Sequence, residues 1–318
     1  MRAALALARR GLGRVSPNPA VGCVLVRPMD GVVIGRGWTQ PGGRPHAETE
    51  ALARAGDQAT GATAYVTLEP CAHQGETGPC ADALTAAGIG RCVVAITDPD
   101  PRVAGGGIAK LEAAGIKVDV GCCAAEAETL NVGFLTRVRH GRPWVALKMA
   151  TTLDGMVAAD DGNSKWITGP EARARGHLLR ARADDPQMTC RLAGLEDRSP
   201  VRAVMIGHDD IPGNARIKPC EVFRDMTPAA VVAALGETGI TRLLVEAGPR
   251  INAAFLAADL IDELHWFRAP TVMGGDGLAA FGAMGHDDPE ALPGFGLSAR
   301  MTVGVDTYEV WRRERMEG

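Results

Sequence analysis

The sequence predicts an α/β protein of two domains, and three observations support this prediction. Short apolar runs typical of buried strands alternate with amphipathic helical stretches along the chain. The length of 318 residues exceeds the ~100–200 residues usual for one domain. The stretch 139–143, which reads RHGRP, interrupts the alternation with Gly and Pro and is typical of a linker. We therefore expect one domain over residues 1–141 and a second over residues 142–318.

The first domain begins with an amphipathic helix and then alternates strands with helices. The apolar run 21–26 predicts a buried strand, and the run 31–37 predicts its hairpin partner. Later strands are expected at 63–68, 92–96 and 116–120. Helices are expected at 46–55, 80–87, 108–114 and 126–139.

The second domain restarts the pattern with a strand at 144–150. A helix over 171–183 follows a Gly-Pro pair, and Thr168 is its candidate N-cap. Further strands are expected at 200–207, 241–248, 263–270 and as a pair within 301–313. Further helices are expected at 228–235 and 251–258, and the GGDG segment at 274–277 is favoured as a plain turn.

Composition excludes several classes of protein. The formal net charge of −4 lacks the basic excess of a nucleic-acid binder. No apolar run approaches the ~18 residues needed to span a membrane, and the N-terminus lacks the features of a secretory signal. We expect a cytoplasmic protein, in which the eight cysteines are thiols or metal ligands rather than disulfides.

The strongest chemical signal is a set of potential zinc ligands, His46, Cys71 and Cys80, with Glu48 two residues after the histidine. One imidazole and two thiolates leave the fourth zinc position open for water, which is the catalytic arrangement. Glu48 can then carry a proton from that water to a leaving amine. The H-x-E…P-C…C order is the signature of zinc deaminases acting on nucleobases. Eight residues separate the two cysteines here, instead of the two in that signature.

The same residues also fit other functions. The His and Cys residues could be a chance scatter, or His73 could complete a structural zinc site. A non-enzymatic zinc module, or a deaminase of free bases, nucleosides or tRNA, are the rival functions. The acidic charge balance disfavours tRNA, and the long insert with a full second domain disfavours a small nucleoside deaminase. Cys23 and Cys92 lie in apolar strands and are expected in the core.

Several longer motifs surround these residues. In the first domain they read SPNPAVGCVLV (16–26), PHAETEAL (45–52), AYVTLEPCAHQGETGPCADAL (64–84) and TDPDPRVAGGGIAKLEAAGIKV (97–118). In the second they read ALKMATTLDG (146–155), SKWITG (164–169) and LLVEAGP (243–249). Together they resemble the bacterial bifunctional riboflavin-biosynthesis deaminase/reductases over nearly the whole chain. The eight-residue insert is that family's own form of the cysteine motif.

The resemblance implies a cytidine-deaminase-like three-layer domain followed by an α/β domain that resembles dihydrofolate reductase. It implies deamination at C2 of a diaminopyrimidinone that carries a ribosylamino phosphate, by water activated on Zn²⁺. NADPH then reduces the ribosyl group to ribityl. It further implies that His46, Cys71 and Cys80 bind zinc and that Glu48 moves the proton. Asn18 is a candidate contact to the pyrimidine, and equally a turn-forming residue before Pro.

For the reductase, the resemblance implies one set of cofactor contacts and one set of substrate contacts. The residues expected to line the NADPH site are Ala150, Trp166, Asp184 and Gly248. The residues expected to contact the phosphorylated pyrimidine are Ser164, Arg180, Met188, Arg191 and Glu246. The two arginines suit a phosphate, and they could equally be solvated surface charges. Many family members pair their subunits, so a homo-oligomer is expected, while the sequence leaves the oligomeric state open.

The second domain departs from the family pattern in two places. The stretch 178–191 runs directly from a helix into the ADDP motif, whereas family members usually have a strand and an NADPH-binding turn between them. The region after Lys218-Pro219 is also shortened. A sheet that loses strands must close up or expose edges. The domain is therefore either a compact active reductase or a decayed one, which would leave a monofunctional deaminase.

Overall fold

The structure of the chain is a computed structural model. It describes residues 1–74, 78–100, 104–180, 201–207, 210–211, 213, 217–285, 288, 290 and 292–314. The chain divides into two compact units, Met1–Arg142 and Pro143–Gly318. In this described part, no helix has the length and apolar character required to cross a membrane.

The first unit is built on a five-stranded mixed sheet. Its strands are β1 (Gly22–Val26), β2 (Val33–Trp38), β3 (Thr63–Val66), β4 (Arg91–Val94) and β5 (Lys117–Val120). They lie in the order β2-β1-β3-β4-β5. β1 runs antiparallel to β2 and β3, while β3, β4 and β5 are parallel. The helices are α1 (Arg2–Ala8), α2 (Ala47–Ala55), α3 (Cys80–Ala86), α4 (Gly106–Ala113) and α5 (Ala124–His140).

Helices cover both faces of this sheet. Gly22 of β1 is paired with Trp38, so the preceding residue of β2, Gly37, faces the opposite side. A Cβ at Gly22 would overlap the carbonyl of Ala4 in α1, and one at Gly37 would overlap that of Ala47 in α2. The two helices therefore lie on opposite faces, which gives the expected three-layer arrangement of a deaminase domain.

The second unit is built on another five-stranded sheet. Its strands are β6 (Trp144–Thr151), β10 (Arg242–Val245), β11 (Glu263–Arg268), β13 (Phe295–Val303) and β14 (Asp306–Arg313). They lie in the order β10-β6-β11-β14-β13. The first three strands are parallel, and β14 runs antiparallel to both of its neighbours. The helices are α6 (Pro170–Arg180), α7 (Pro228–Glu237) and α8 (Pro249–Ala257).

The alternation along β6 decides what each face of this sheet contacts. Leu147 and Met149 belong to the large apolar cluster that includes residues of α7 and α8. Ala150, on the opposite face, belongs to the cluster with Phe267 and with Ala172 of α6. Lys148 shares the face of Ala150, so β6 carries a charged side chain towards α6.

Four short strands form two separate small sheets. β7 (Met156–Ala158) pairs antiparallel with β12 (Leu278–Ala279), and β8 (Ala203–Ile206) pairs in parallel with β9 (Glu221–Arg224). The sequence patterns missed β7, β9 and β12, because strands of two to four residues give too few alternations to recognise. The helix expected from 171 begins at Pro170, so the position before it is Gly169 rather than the expected cap Thr168.

Candidate functional site

The three expected metal ligands converge where strands of the first unit give way to helices. His46 is the extended residue that precedes α2, Cys71 follows β3, and Cys80 is the first residue of α3. Nδ1 of His46 lies 3.2 Å from Sγ of Cys80 and 3.7 Å from Sγ of Cys71. The ligand atoms of all three lie within 4.8 Å of one another.

This spacing fits a zinc ion. Zinc binds imidazole nitrogen at ~2.0–2.1 Å and thiolate sulfur at ~2.3 Å, so tetrahedral ligands lie roughly 3.5 Å apart. Among the described residues, the metal-competent cluster holds these three side chains and does not include His73. A three-ligand set leaves a coordination position for a reacting molecule, as in catalytic rather than structural sites.

The electrostatics of the cluster favour metal binding. The Cys80 thiol and the His46 ring hydrogen-bond to Cys71 and lower the pKa of its thiol to about 4. The backbone N–H of Cys80 also donates to Sγ of Cys71, at 3.3 Å. The pKa of Cys80 itself is raised, because the neighbouring Cys71 sulfur and burial both disfavour a second negative charge. A divalent cation would compensate the charge of two thiolates in this confined space.

Glu48 lies in the first turn of α2 and is only 3% exposed. Burial, together with the nearby Cys71 thiolate, raises the pKa of its carboxyl to about 7. Such a carboxyl exchanges protons readily at neutral pH. Glu48 is not a member of the ligand cluster, so it is available for proton transfer beside it.

His46, Glu48 and Cys71 line a cavity of about 110 Å³ in the first unit. Asn18 is part of its wall, as the sequence suggested, and packs against Gly43, where a Cβ would overlap the Asn18 amide. Sequence reasoning missed Arg44, Asp98 and Asp100, which also line the cavity. The available signal was the TDPDP segment directly after a buried strand, where polar residues of α/β proteins commonly meet ligands.

A second cavity, of about 340 Å³, lies in the second unit between β6 and α6. It collects five residues expected at the reductase site, namely Ala150, Ser164, Trp166, Arg180 and Glu246. Gly248 precedes α8 next to the lining residue Ala247. The expected residues Asp184, Met188 and Arg191 lie outside the described residues, as does the shortened segment that contains them.

Three charged side chains in the lining of this cavity, Lys148, Arg180 and Glu246, interact with one another. Arg180 donates from Nε to Oε1 of Glu246 at 2.6 Å and from Nη2 to Oε2 at 2.8 Å. Nζ of Lys148 lies 3.6 Å from the same carboxylate. Burial alone would raise the pKa of Glu246, but the Arg180 hydrogen bonds and the two positive charges hold it below its ordinary value. Glu246 is therefore an ionised acceptor at neutral pH.

Sequence reasoning did not single out Lys148, Arg173 or His177, which also line the cavity. The guanidinium of Arg173 lies 4.5 Å from the ring of Trp166, an indole that is 69% exposed. A stacked indole and guanidinium, with the N-terminus of α8 nearby, suit a ligand that carries aromatic rings and phosphates. The residues present therefore fit a dinucleotide such as NADPH.

Comparison with known proteins finds one family match in each unit. Residues 1–96 match the family model described as the cytidine and deoxycytidylate deaminase zinc-binding region. Residues 143–293 match the model of the RibD C-terminal domain. The riboflavin biosynthesis protein RibD of Escherichia coli is 39% identical over 355 aligned positions, covering 96% of each chain. RibD of Aquifex aeolicus is also 39% identical and covers 88% of each chain.

Solved structures agree along the full length. One form of Acinetobacter baumannii RibD has a TM-score of 0.91 at 36% identity, covering 99% of this chain and 98% of its own. A deaminase/reductase from Thermotoga maritima has a TM-score of 0.88 at 33% identity, covering 99% and 97%. The similarity thus includes both units, and the second unit retains the architecture of these relatives despite its shortened segments.

Proposed function

This chain belongs to the RibD family of riboflavin-biosynthesis deaminase/reductases, and from that premise we propose which of its residues carry each reaction. The family's two activities are deamination of the C2 amine of a 2,5-diamino-6-(5-phosphoribosylamino)pyrimidin-4-one, followed by NADPH-dependent reduction of the ribosyl group of the deaminated product. The presence of both matched domains favours the bifunctional enzyme over the monofunctional deaminase.

We propose that the deaminase covers residues 1–141 and the reductase residues 142–318. The division into compact units at Arg142 and Pro143 supports these boundaries, as does the start of the second family match at residue 143. Separate expression of residues 1–141 tests the first boundary, since a complete deaminase domain should release ammonia from the substrate on its own.

In the deaminase, His46, Cys71 and Cys80 hold the zinc. When bound, zinc supplies a Lewis acid that lowers the pKa of a water molecule towards ~7. Glu48 accepts a proton from the attacking water and delivers it to the departing ammonia. The observation that supports this role is the buried Glu48 carboxyl, with a pKa of about 7, beside a three-ligand cluster.

The walls of the deaminase cavity hold the pyrimidine. Asp98 and Asp100 are both nearly buried and line the cavity with Glu48. Carboxylates accept hydrogen bonds from the N–H groups of an amino-pyrimidinone, and Asn18 can both donate and accept. These three side chains therefore orient the ring so that C2 faces the metal-binding cluster.

In the reductase, Glu246 accepts hydrogen bonds from hydroxyl groups of the sugar. Its pairing with Arg180 and Lys148 keeps it ionised and fixes its direction. NADPH, when bound, supplies the hydride for C1′ of the ribose. Trp166 lies at the exposed edge of the cavity, with Ala150 and Gly248 as further cofactor contacts and Ser164 as a substrate contact. Asp184, Met188 and Arg191 stay assigned as the resemblance implies.

The two reactions can be followed separately with the purified protein. Ammonia release from the diaminopyrimidinone reports the deaminase, and loss of nicotinamide absorbance with the deaminated intermediate reports the reductase. Ammonia release without NADPH oxidation would contradict the bifunctional assignment. The cytoplasmic location and the homo-oligomeric state also belong to this proposal. The first follows the expectation from the sequence, and the second follows the family resemblance. Cell fractionation and light scattering test them.

A further inference from the structure

The carboxylate of Glu69 accepts four backbone hydrogen bonds from one segment of the first unit. Oε2 accepts from N–H of Asp98 at 3.2 Å and of Gly105 at 3.0 Å. Oε1 accepts from N–H of Gly107 at 2.9 Å and of Ile108 at 3.1 Å. Glu69 is only 3% exposed, so both oxygens are satisfied by protein donors rather than by bulk water.

These donors come from both ends of one loop. Asp98 lies shortly after β4, while Gly107 and Ile108 lie in the first turn of α4. A negative charge at a helix N-terminus is favourable, and hydrogen bonds to an ionised acceptor are stronger than neutral ones. The Glu69 side chain thus holds Asp98, at the start of the loop, and the first turn of α4, at its end.

Glu69 lies two residues before the metal ligand Cys71. The backbone N–H of Glu69 donates to the carbonyl of Ile96 at 3.0 Å. Gly107 packs so closely that a Cβ there would overlap the carbonyl oxygen of Pro70. The loop and the Cys71 segment are therefore held together by both hydrogen bonds and close contact.

The loop in turn carries part of the cavity wall. Asp98 and Asp100 line the cavity together with Glu69 and Glu48, and the Asp98 carboxylate accepts the N–H of Asp100 at 2.9 Å. We propose that Glu69 is a positioning residue of the deaminase, which sets the distance between the Asp98–Asp100 wall and the Cys71 ligand. The inference rests on the proposed function, because it gives Asp98 and Asp100 their role in holding the pyrimidine.

A purely structural role for Glu69 would lower stability without a specific effect on substrate binding. Positioning has a different signature. If the Asp98–Asp100 wall moves, the enzyme loses contacts made to bound substrate, and KM rises more than kcat falls.

The test uses the full-length Glu69→Gln variant, which keeps side-chain size but turns an NH₂ group towards two N–H donors. We expect KM for the diaminopyrimidinone to rise about tenfold or more, the worth of one hydrogen bond to a charged group, with a smaller change in kcat. Zinc content and NADPH-dependent reduction of the deaminated intermediate should stay at wild-type levels. Glu112→Gln is the matched control, because Glu112 is exposed on α4 and should leave KM unchanged.

A second variant, Gly107→Ala, displaces the loop from Pro70 while leaving the Glu69 carboxylate intact, and it should also raise KM. If Glu69→Gln fails to hold zinc, the KM of Gly107→Ala tests the positioning role instead. A wild-type KM in the zinc-loaded variants would overturn the proposal and leave Glu69 a structural residue. If the wild-type protein releases no ammonia from this substrate, the proposed function fails instead, so the two failures are distinguishable.

Discussion

The guanidinium of Arg180 forms a two-pronged pair with the carboxylate of Glu246, with N–O distances of 2.6 and 2.8 Å. Both side chains are largely buried, at 14% and 9% exposure. The pair joins the last turn of α6 to the residue that follows β10, and both side chains line the reductase cavity. Nζ of Lys148 lies further away, at 3.6 Å from the same carboxylate. The direction of the Glu246 carboxylate is therefore set mainly by the planar guanidinium of Arg180, which binds both of its oxygens.

Arg180→Lys preserves the charge but cannot make two parallel hydrogen bonds. We expect reduction of the deaminated intermediate to slow about tenfold or more, because Glu246 loses its fixed direction. Ammonia release should be unchanged, since it occurs in the other unit. NADPH oxidation and ammonia release measured on the same preparation check this. Arg300→Lys, at a 65% exposed position on β13, is the control, and an equal effect there would contradict the assignment.

Glu48→Gln keeps the shape of the side chain but removes its ability to move a proton. We expect ammonia release to fall by about 10²–10⁴-fold, the usual contribution of general acid–base catalysis. Zinc content should remain at the wild-type level, because Glu48 is not in the ligand cluster. Metal analysis and an ammonia assay measure both quantities. Glu50→Gln changes the same helix at a residue paired with Arg54, and it should keep full activity.

The zinc cluster and Glu48 could be predicted from the sequence, because their residue types and spacing form a recognisable motif. Each of these residues lies near a strand–helix junction, which is a local feature of the sequence. The approach of Asp98 and Asp100 to Cys71 could not be predicted in this way. It depends on the Glu69 carboxylate, whose partners lie 29 to 39 residues further along the chain. In the second unit, Lys148 went unnoticed because one charge in an apolar strand does not reveal the helix that packs over it.

Removal of zinc should separate the two activities. Cys71→Ser is expected to abolish ammonia release, because a serine hydroxyl is a weaker zinc ligand than a thiolate. Treatment with a chelator should have the same effect, because it removes the zinc. NADPH-dependent reduction should persist, because no residue of the ligand cluster belongs to the second unit. Ammonia release, NADPH oxidation and metal content are measured on each preparation. Cys122→Ser, at an exposed cysteine, should behave as the wild type, and loss of both activities in Cys71→Ser would contradict independent units.

The lowered pKa of Glu246 predicts a definite dependence of stability on pH. A carboxyl with a folded-state pKa below its ordinary value of 4.5 stabilises the fold above pH 4.5 and loses that contribution as pH falls through the lower value. Glu246→Gln lacks this contribution and leaves Arg180 and Lys148 without their carboxylate. We expect the variant to unfold at a lower temperature at pH 7, with the difference from wild type narrowing below pH 4.5. Thermal unfolding across this range checks it, and a difference that grows in acid would contradict the assigned charge state.

Binding of NADPH to the second unit is the prediction that bears on the shortened segment after Arg180. A ligand that binds only the native state raises stability, by about 2.7 kcal/mol at a concentration 100 times its Kd. We propose the cavity between β6 and α6 as that site, where the Arg173 guanidinium lies 4.5 Å from the ring of Trp166. We therefore expect NADPH to raise the unfolding temperature of the wild-type protein, and Trp166→Ala to reduce that increase. Because Trp166 is 69% exposed, its loss should change the unliganded stability little. No increase with NADPH, in a protein that still releases ammonia, would instead support the monofunctional deaminase.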